Sequence, residues 1–239
     1  MIAVEVCIGC ADATGVCCDA GAALVGGAVL VELCGQTQDE GLTPDWELVR
    51  IARSAFTRPG VLVMIRTWAG DFSFALAEVR TMEEQIRRAV DVGADGVVIG
   101  ALCADGALNR AALAGLVAAA KECDLEVSLH RAFDATPDPA AALEISFELQ
   151  CDRVLTSGTP WRGAGGAVAG LVRVRSLVEQ AAGRIEVVIG GGVSPENANF
   201  FVSALPGDRW SLHAYSGVRM DGRVRAERVR SLVASGRRL

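Results

Sequence analysis

Residues 2–7 read IAVEVC, a short run in which branched aliphatic side chains alternate with others. Side chains of a strand point to opposite faces with a period of two, so Glu5 and Cys7 share one face and the opposite face is wholly aliphatic. A second run, VLVELC, repeats this arrangement and places Glu32 and Cys34 on one face. The aliphatic faces are suited to packing beneath helices. The two runs therefore predict a sheet with helices on one side and polar groups on the other.

Six further apolar runs follow along the chain, and helical patterns separate them. The eight predicted strands are Ile2–Cys7, Val29–Cys34, Val61–Arg66, Gly96–Ile99, Leu125–His130, Arg153–Thr156, Ile185–Ile189 and Trp210–His213. Strands that alternate with helices are typical of βα units and a parallel sheet. A barrel of eight such units has about 250 residues, close to the 239 residues of this chain. We predict one α/β domain over residues 1–239, a single TIM-like (β/α)8 barrel with parallel strands; a doubly wound open sheet is the alternative.

The amino-acid composition limits the classes of partner that the protein is expected to bind. With 51% hydrophobic residues the chain can bury a large core, and its net charge of −6 argues against the basic surface that binds nucleic acid. The first residues, MIAVEVC, lack the basic start of a secretion signal, and the uncharged run at residues 20–31 is shorter than the roughly 20 residues that span a bilayer. We therefore expect a cytoplasmic protein with neither a nucleic acid nor a membrane as partner. Its eight cysteines are expected to be thiols rather than disulfides, and the sequence leaves a homo-oligomer open.

Polar side chains recur where the predicted strands end. Arg66 ends the third strand, and the two histidines of the chain, His130 and His213, end the fifth and eighth. The carboxyl ends of barrel strands meet at one rim, where active sites of this architecture lie. Glu5, Glu32, His130 and His213 are therefore acid/base candidates. Because buried charges are costly unless paired, we also expect Glu5, Glu32 and Arg66 to satisfy one another in part, and a purely structural ion-pair network is the alternative.

Two further charged residues follow the fifth predicted strand directly. Arg131 is a second candidate, with Arg66, to orient an anionic group. Asp134 is placed to orient a neighbouring arginine or histidine.

Glycine and serine residues follow the sixth, seventh and eighth predicted strands. Barrel enzymes often hold a phosphate between the loops after strands 7 and 8, where glycines let backbone N–H groups approach the ligand. The candidate anion-binding residues are Ser157, Gly158, Gly190, Gly191, Gly192, Ser216 and Gly217. The alternative is that these glycines only form tight turns.

The same segments carry a family resemblance. The motifs are VEVC (Val4–Cys7), LVELC ending at Cys34, EGLTP (Glu40–Pro44), IRTWAGDF (Ile65–Phe72), LHRAFD (Leu129–Asp134), RVLTSG (Arg153–Gly158), GGGVSPEN (Gly190–Asn197) and the strand that contains His213. In this order, and over nearly the whole chain, they resemble the motifs of the CutC copper-homeostasis family. Two positions depart from the family's pattern. Trp68 stands where the loop usually has a second arginine, and Ala214 stands where a serine tends to follow the histidine.

The resemblance implies a TIM-like barrel, cytoplasmic copper handling and a copper ion as partner. Cu(I) binding through cysteines is proposed for the family, and the matching thiols here are Cys7 and Cys34. Soft thiolates favour Cu(I), although free cysteines also serve as small buried hydrophobes. We therefore expect a CutC-like copper homeostasis protein. The alternative is a barrel enzyme that acts by acid/base chemistry at the rim on a small phosphorylated or sugar-like substrate, with an anionic ligand as partner.

Overall fold

The computed structural model describes residues 2–37 and 41–236. Eight parallel strands form a closed barrel, in which each strand pairs with the next along the chain and the eighth pairs with the first. The strands are β1 (Ala3–Gly9), β2 (Leu30–Cys34), β3 (Val61–Met64), β4 (Gly96–Ile99), β5 (Glu126–Leu129), β6 (Arg153–Thr156), β7 (Glu186–Ile189) and β8 (Trp210–Ala214). The predicted single (β/α)8 barrel is confirmed. Glu40 of the EGLTP motif lies outside the described residues.

Helices separate the strands along the chain. They are α1 (Ala13–Gly26), α2 (Trp46–Ala55), α3 (Leu76–Asp91), α4 (Arg110–Lys121), α5 (Pro139–Glu148), α6 (Gly166–Ala169), α7 (Leu171–Ala181), α8 (Ala198–Ala204) and α9 (Ala226–Ser235). Two 3₁₀ turns, Arg131–Ala135 and Ser216–Val218, follow β5 and β8, and a small hairpin of β9 (Arg219–Met220) and β10 (Arg223–Val224) precedes α9. Within the two described ranges, no helix combines the length and the hydrophobicity needed to cross a membrane.

One face of each strand packs against the helices and the other points into the barrel, as the alternation of side chains in the sequence predicts. The outward side chains, such as Val4, Val6 and Leu33, are fully buried between the sheet and the helices. The inward side chains include a small separate apolar cluster of Cys7, Cys34, Leu62, Met64 and Val98. The core therefore has a large apolar layer between the sheet and the helices, and the inside of the barrel holds most of the charged side chains that the strands bury.

Parallel pairing of β1 with β2 sets which inward residues are neighbours. Cys7 lies opposite Glu32 and Gly9 lies opposite Cys34. Two strands end earlier than predicted, β3 at Met64 and β5 at Leu129. Arg66 and His130 therefore lie just beyond strand ends, on loops that begin at the rim.

Arg153, the first residue of β6, fills the opposite end of the barrel interior. Its side chain is 1% exposed, and its Nη1 donates to Oε2 of Glu5 at 2.5 Å. Its Nη2 donates to the hydroxyl of Ser211 at 3.2 Å, and oxygens of Glu126 and Glu186 each lie 3.3 Å from its nitrogens. Burial acts to lower the pKa of the guanidinium, but the charges of Glu5 and Glu186 outweigh it and raise the pKa.

This arrangement corrects one expectation. We expected Glu5, Glu32 and Arg66 to satisfy one another in part, whereas the guanidinium that pairs with Glu5 is that of Arg153, 148 positions away along the chain. The reason is the position of each residue along its strand. Glu5 lies in the middle of β1, within reach of a long side chain that rises from the start of β6, while Arg66 lies beyond the end of β3.

Candidate functional site

A cavity of about 270 Å³ opens at the carboxyl ends of the strands. Many of the residues predicted from the sequence line it: Cys7, Glu32, Cys34, Arg66, His130, Arg131, Gly190, Gly191, Gly192, His213 and Ser216. The predicted residues outside this lining are Glu5, Asp134, Ser157, Gly158 and Gly217. The cavity thus gathers side chains from strands that are far apart in sequence.

The two predicted thiols lie together. Sγ of Cys7 is 3.6 Å from Sγ of Cys34 and 3.7 Å from Oε1 of Glu32. Both cysteines are free and buried. The hydrogen bond with Cys34, burial and the nearby carboxylates raise the pKa of Cys7 well above its usual range. Cys7 is therefore a protonated thiol at neutral pH when no metal is present.

His213 is held by the carboxylate that also binds Arg153. Its Nδ1 lies 2.5 Å from Oε1 of Glu5. Burial acts to raise the pKa of Glu5, but Arg153 and His213 outweigh burial and lower it to about 2. Glu5 is thus a permanent anion that fixes the ring of His213. Because Nδ1 is engaged, Nε2 is the nitrogen left for a ligand.

Three side chains form a cluster that could hold a metal ion. One ligand atom each from Cys7, Glu32 and His213 lie within 4.8 Å of one another. Burial and the charge of Glu5 raise the pKa of Glu32, although His213 opposes them. Burial acts to lower the pKa of His213, but the carboxylates of Glu32 and Glu5 outweigh it and raise the pKa. The Cys34 thiol lies beside Cys7, although it does not belong to this group of three.

The second histidine is kept neutral. Burial and the charge of Arg66 lower the pKa of His130 to about 3. Nδ1 of His130 accepts a hydrogen bond from the backbone N–H of Ala132 at 3.1 Å, so the ring proton lies on Nε2. Among the described residues this Nε2 has no hydrogen-bond partner, although it is buried. The ring lies 5.0 Å from the ring of Phe72, centroid to centroid.

Arg131 is fixed by Asp134. Its Nε donates to Oδ2 of Asp134 at 2.5 Å, and its Nη2 donates to the hydroxyl of Ser157 at 3.0 Å. Asp134 also accepts from the hydroxyl of Thr156 and from the backbone N–H of Ser157. Its oxygens are therefore fully used in holding Arg131 and the loop after β6. The guanidinium lies 5.5 Å from the ring centroid of Trp161.

Arg66 also lines this cavity and is 2% exposed. Its Nη1 donates to the carbonyl of Gly41 at 3.2 Å and its Nη2 to the carbonyl of Gly70 at 3.0 Å. The guanidinium also lies 4.6 Å from the centroid of the Phe72 ring. Carbonyls and an aromatic face thus hold this cation at the cavity wall.

The glycines divide into two groups. Gly191 and Gly192 line the cavity with φ angles of 98° and 82°, and a side chain on Gly192 would meet nothing within 4 Å. At Gly158 and Gly217 a Cβ would lie 2.4 Å and 2.1 Å from backbone oxygens of neighbouring segments. The latter two therefore allow close packing of loops rather than facing the cavity.

Sequence reasoning missed several residues of this region. Arg153 was not singled out, nor were the cavity-lining side chains Met64, Phe72, Leu155 and Trp161. Alternation along β6 was the available signal, because it places Arg153 and Leu155 on one face. Trp161 lies on an irregular loop, where no periodic pattern indicates its direction.

The sequence of the chain matches one family of known proteins. The CutC family model matches residues 2–209. The chain belongs to the CutC family. A family protein CutC of Xanthomonas axonopodis pv. citri (strain 306) is 42% identical over 176 residues, which cover 74% of this chain and 70% of that protein.

Two further CutC proteins are similar. The copper homeostasis protein cutC homolog of Mus musculus is 41% identical over 172 residues, which cover 72% of this chain and 61% of that protein. The crystal structure of a CutC protein from Streptococcus agalactiae superposes with a TM-score of 0.77 at 29% identity, covering 89% of this chain and 98% of that chain.

One departure from the CutC pattern is Trp68. Trp68 is 40% exposed and packs edge-on against Phe74, with ring centroids 6.4 Å apart. It is not among the residues that line the cavity. Tyr215, which follows Ala214, does line it.

Proposed function

We propose that this protein is a cytoplasmic copper homeostasis protein that binds Cu(I) at Cys7 and Cys34, with His213 as a further ligand. The observation that carries the proposal is the 3.6 Å separation of the two sulfur atoms. Thiolates are the ligands that Cu(I) prefers, and imidazole also suits copper. The copper-homeostasis name of the mouse relative supports copper as the ion. It also favours this function over the acid/base enzyme considered from the sequence.

The spacing of the sulfurs bears on the coordination number. Two sulfurs at about 2.3 Å from a metal are about 4.6 Å apart in a linear arrangement and about 3.8 Å apart at a tetrahedral angle. The distance of 3.6 Å between Cys7 and Cys34 is close to the tetrahedral value. A bent pair leaves space for a third ligand, and His213 offers a nitrogen within 4.8 Å of Sγ of Cys7.

Neighbouring residues affect the orientation and the protonation of the proposed ligands. Metal-binding histidines usually donate their second ring nitrogen to a carboxylate, which orients the ring and raises its basicity. Glu5 does this for His213. Cys7 is protonated in the metal-free protein, so binding of the ion releases its proton.

The test is an anaerobic titration with Cu(I) against a chromogenic competitor. Wild type is expected to bind one Cu(I) tightly, and the Cys7→Ser/Cys34→Ser variant is expected to lose that site. The matched control is Cys17→Ser/Cys18→Ser, which removes two exposed thiols and is expected to leave the tight site unchanged. Circular dichroism checks that both variants fold.

Two outcomes would contradict the proposal. Binding that is equal in wild type and in the Cys7→Ser/Cys34→Ser variant would place copper elsewhere on the protein. Because a mixed sulfur, nitrogen and oxygen set also suits zinc, a parallel titration with Zn²⁺ is needed. Tighter binding of Zn²⁺ than of Cu(I) would assign the cluster to zinc.

A further inference from the structure

The cavity is much larger than a metal ion requires. Its volume is about 270 Å³, whereas on the order of 10–15 Å³ is enough to hold one water molecule. Pockets that bury drug-sized ligands begin at about 300 Å³, so a cavity of this volume suits a smaller molecule. The cavity therefore has room for a small metabolite beside the cluster of Cys7, Glu32 and His213.

One wall of the cavity combines cations with aromatic surface. The guanidinium groups of Arg66 and Arg131 both line it, and so do the rings of Phe72 and Trp161. Arg131 is held in place by Asp134, and Arg66 by backbone carbonyls. Guanidinium groups fixed in this way bind carboxylates and phosphates with little loss of conformational freedom.

His130 adds a hydrogen-bond donor without an acceptor. Its Nδ1 is engaged by the backbone of Ala132, so Nε2 carries the proton. This Nε2–H has no partner among the described residues, in a side chain that is 3% exposed and belongs to the cavity lining. Buried donors in native proteins are almost always paired. The missing acceptor is the second observation that points to a ligand.

We propose that the cavity binds a small organic molecule carrying a carboxylate or phosphate group. Arg66 and Arg131 contact the anionic group, and His130 donates to one of its oxygens. Phe72 and Trp161 cover the carbon skeleton. This function goes beyond copper binding, because none of the five residues belongs to the proposed copper ligands.

The test is calorimetric titration of the metal-free full-length protein with three probes. Glycerol 3-phosphate presents a phosphate, malate presents carboxylates, and glycerol carries neither. At least one anionic probe is expected to bind with a dissociation constant of about 1 mM or below, and glycerol is expected not to bind in that range. Whether phosphate or malate binds more tightly identifies the anionic group.

Paired variants locate the site. Arg131→Gln is expected to weaken binding by about 10-fold or more, and Arg131→Lys, which keeps the charge, by less. His130→Phe removes the donor and is expected to weaken binding, whereas His130→Gln keeps a donor and restores part of the affinity. Arg162→Gln is the matched control. Arg162 also lies over the Trp161 ring, at 6.0 Å, but it does not line this cavity.

Three results would overturn the proposal: no saturable binding of either anion at about 10 mM, binding of glycerol as tight as that of the anions, or equal affinity in wild type, Arg131→Gln and His130→Phe. Because the titration uses metal-free protein, its result is independent of the copper experiment. A protein that binds Cu(I) but no anion would contradict only this inference.

Discussion

Oε1 of Glu5 lies 2.5 Å from Nδ1 of His213, while Oε2 of the same carboxylate lies 2.5 Å from a guanidinium nitrogen of Arg153. One acid thus links the filled end of the barrel to the cavity at the other end. The carboxylate is shared between a guanidinium and an imidazole, so a change at either partner alters how the carboxylate holds the other.

Replacing Glu5 by Gln is expected to weaken metal binding without removing a ligand. The amide no longer fixes the ring of His213 as an anion does, and loss of such a partner typically costs 10–100-fold in affinity. Glu126→Gln is the control, because Glu126 also lies near Arg153 but makes no described contact with His213. Competition titrations with Cu(I) measure both, and equal effects of the two substitutions would contradict the assignment.

Replacing Arg153 by Met is expected to lower the free energy of unfolding by about 3–5 kcal/mol. The cause is the buried carboxylate of Glu5, which would lose its guanidinium partner. A double variant, Glu5→Leu/Arg153→Met, removes both charges and is expected to recover part of that loss. Urea unfolding curves measure the difference, and a double variant less stable than Arg153→Met would contradict the prediction.

His130 is expected to make the folded protein less stable as the pH falls. Its pKa is about 3 in the folded protein and about 6.5 in the unfolded chain. Between these values the unfolded chain binds a proton that the folded protein does not, so the free energy of unfolding decreases as the pH falls below 6.5. Between pH 7 and pH 5 wild type is expected to lose about 2 kcal/mol more than His130→Gln. Parallel loss in the two proteins would show that another group titrates.

Gly100 should not tolerate a side chain. A Cβ at this position would lie 2.3 Å from Cε1 of His130, in a fully buried setting. Gly100→Ala is expected to destabilise the protein by about 1–3 kcal/mol through overpacking. Gly21→Ala in α1 is the matched control, because a Cβ there meets nothing within 4 Å and alanine favours a helix. Thermal unfolding of the two variants should shift in opposite directions.

The parts of the site that lie on strands could be predicted from the sequence. Alternation in IAVEVC and VLVELC was enough to place Glu5, Cys7, Glu32 and Cys34 inside the barrel. The reason is that strand pairing and a one-sided apolar face leave only one orientation for each side chain.

Partners that depend on side-chain length or on loops could not be predicted in the same way. Arg153 reaches Glu5 across the barrel interior, and no local pattern specifies which cation crosses that space. Trp161 and Phe72 enter the cavity from irregular segments, where backbone conformation has no period. Arg66 lies beyond the end of β3, where it contacts loop carbonyls and the Phe72 ring.

The parallel pairing that sets Cys7 opposite Glu32 and Gly9 opposite Cys34 has one more consequence. Folding of the barrel brings these groups together before any ion binds. The entropy lost in ordering them therefore does not reduce the affinity for the ion. Small zinc domains behave in the opposite way, since they unfold when stripped of metal. On the proposed function, the barrel therefore serves as an intact, reusable receptor that releases one ion and accepts another without unfolding.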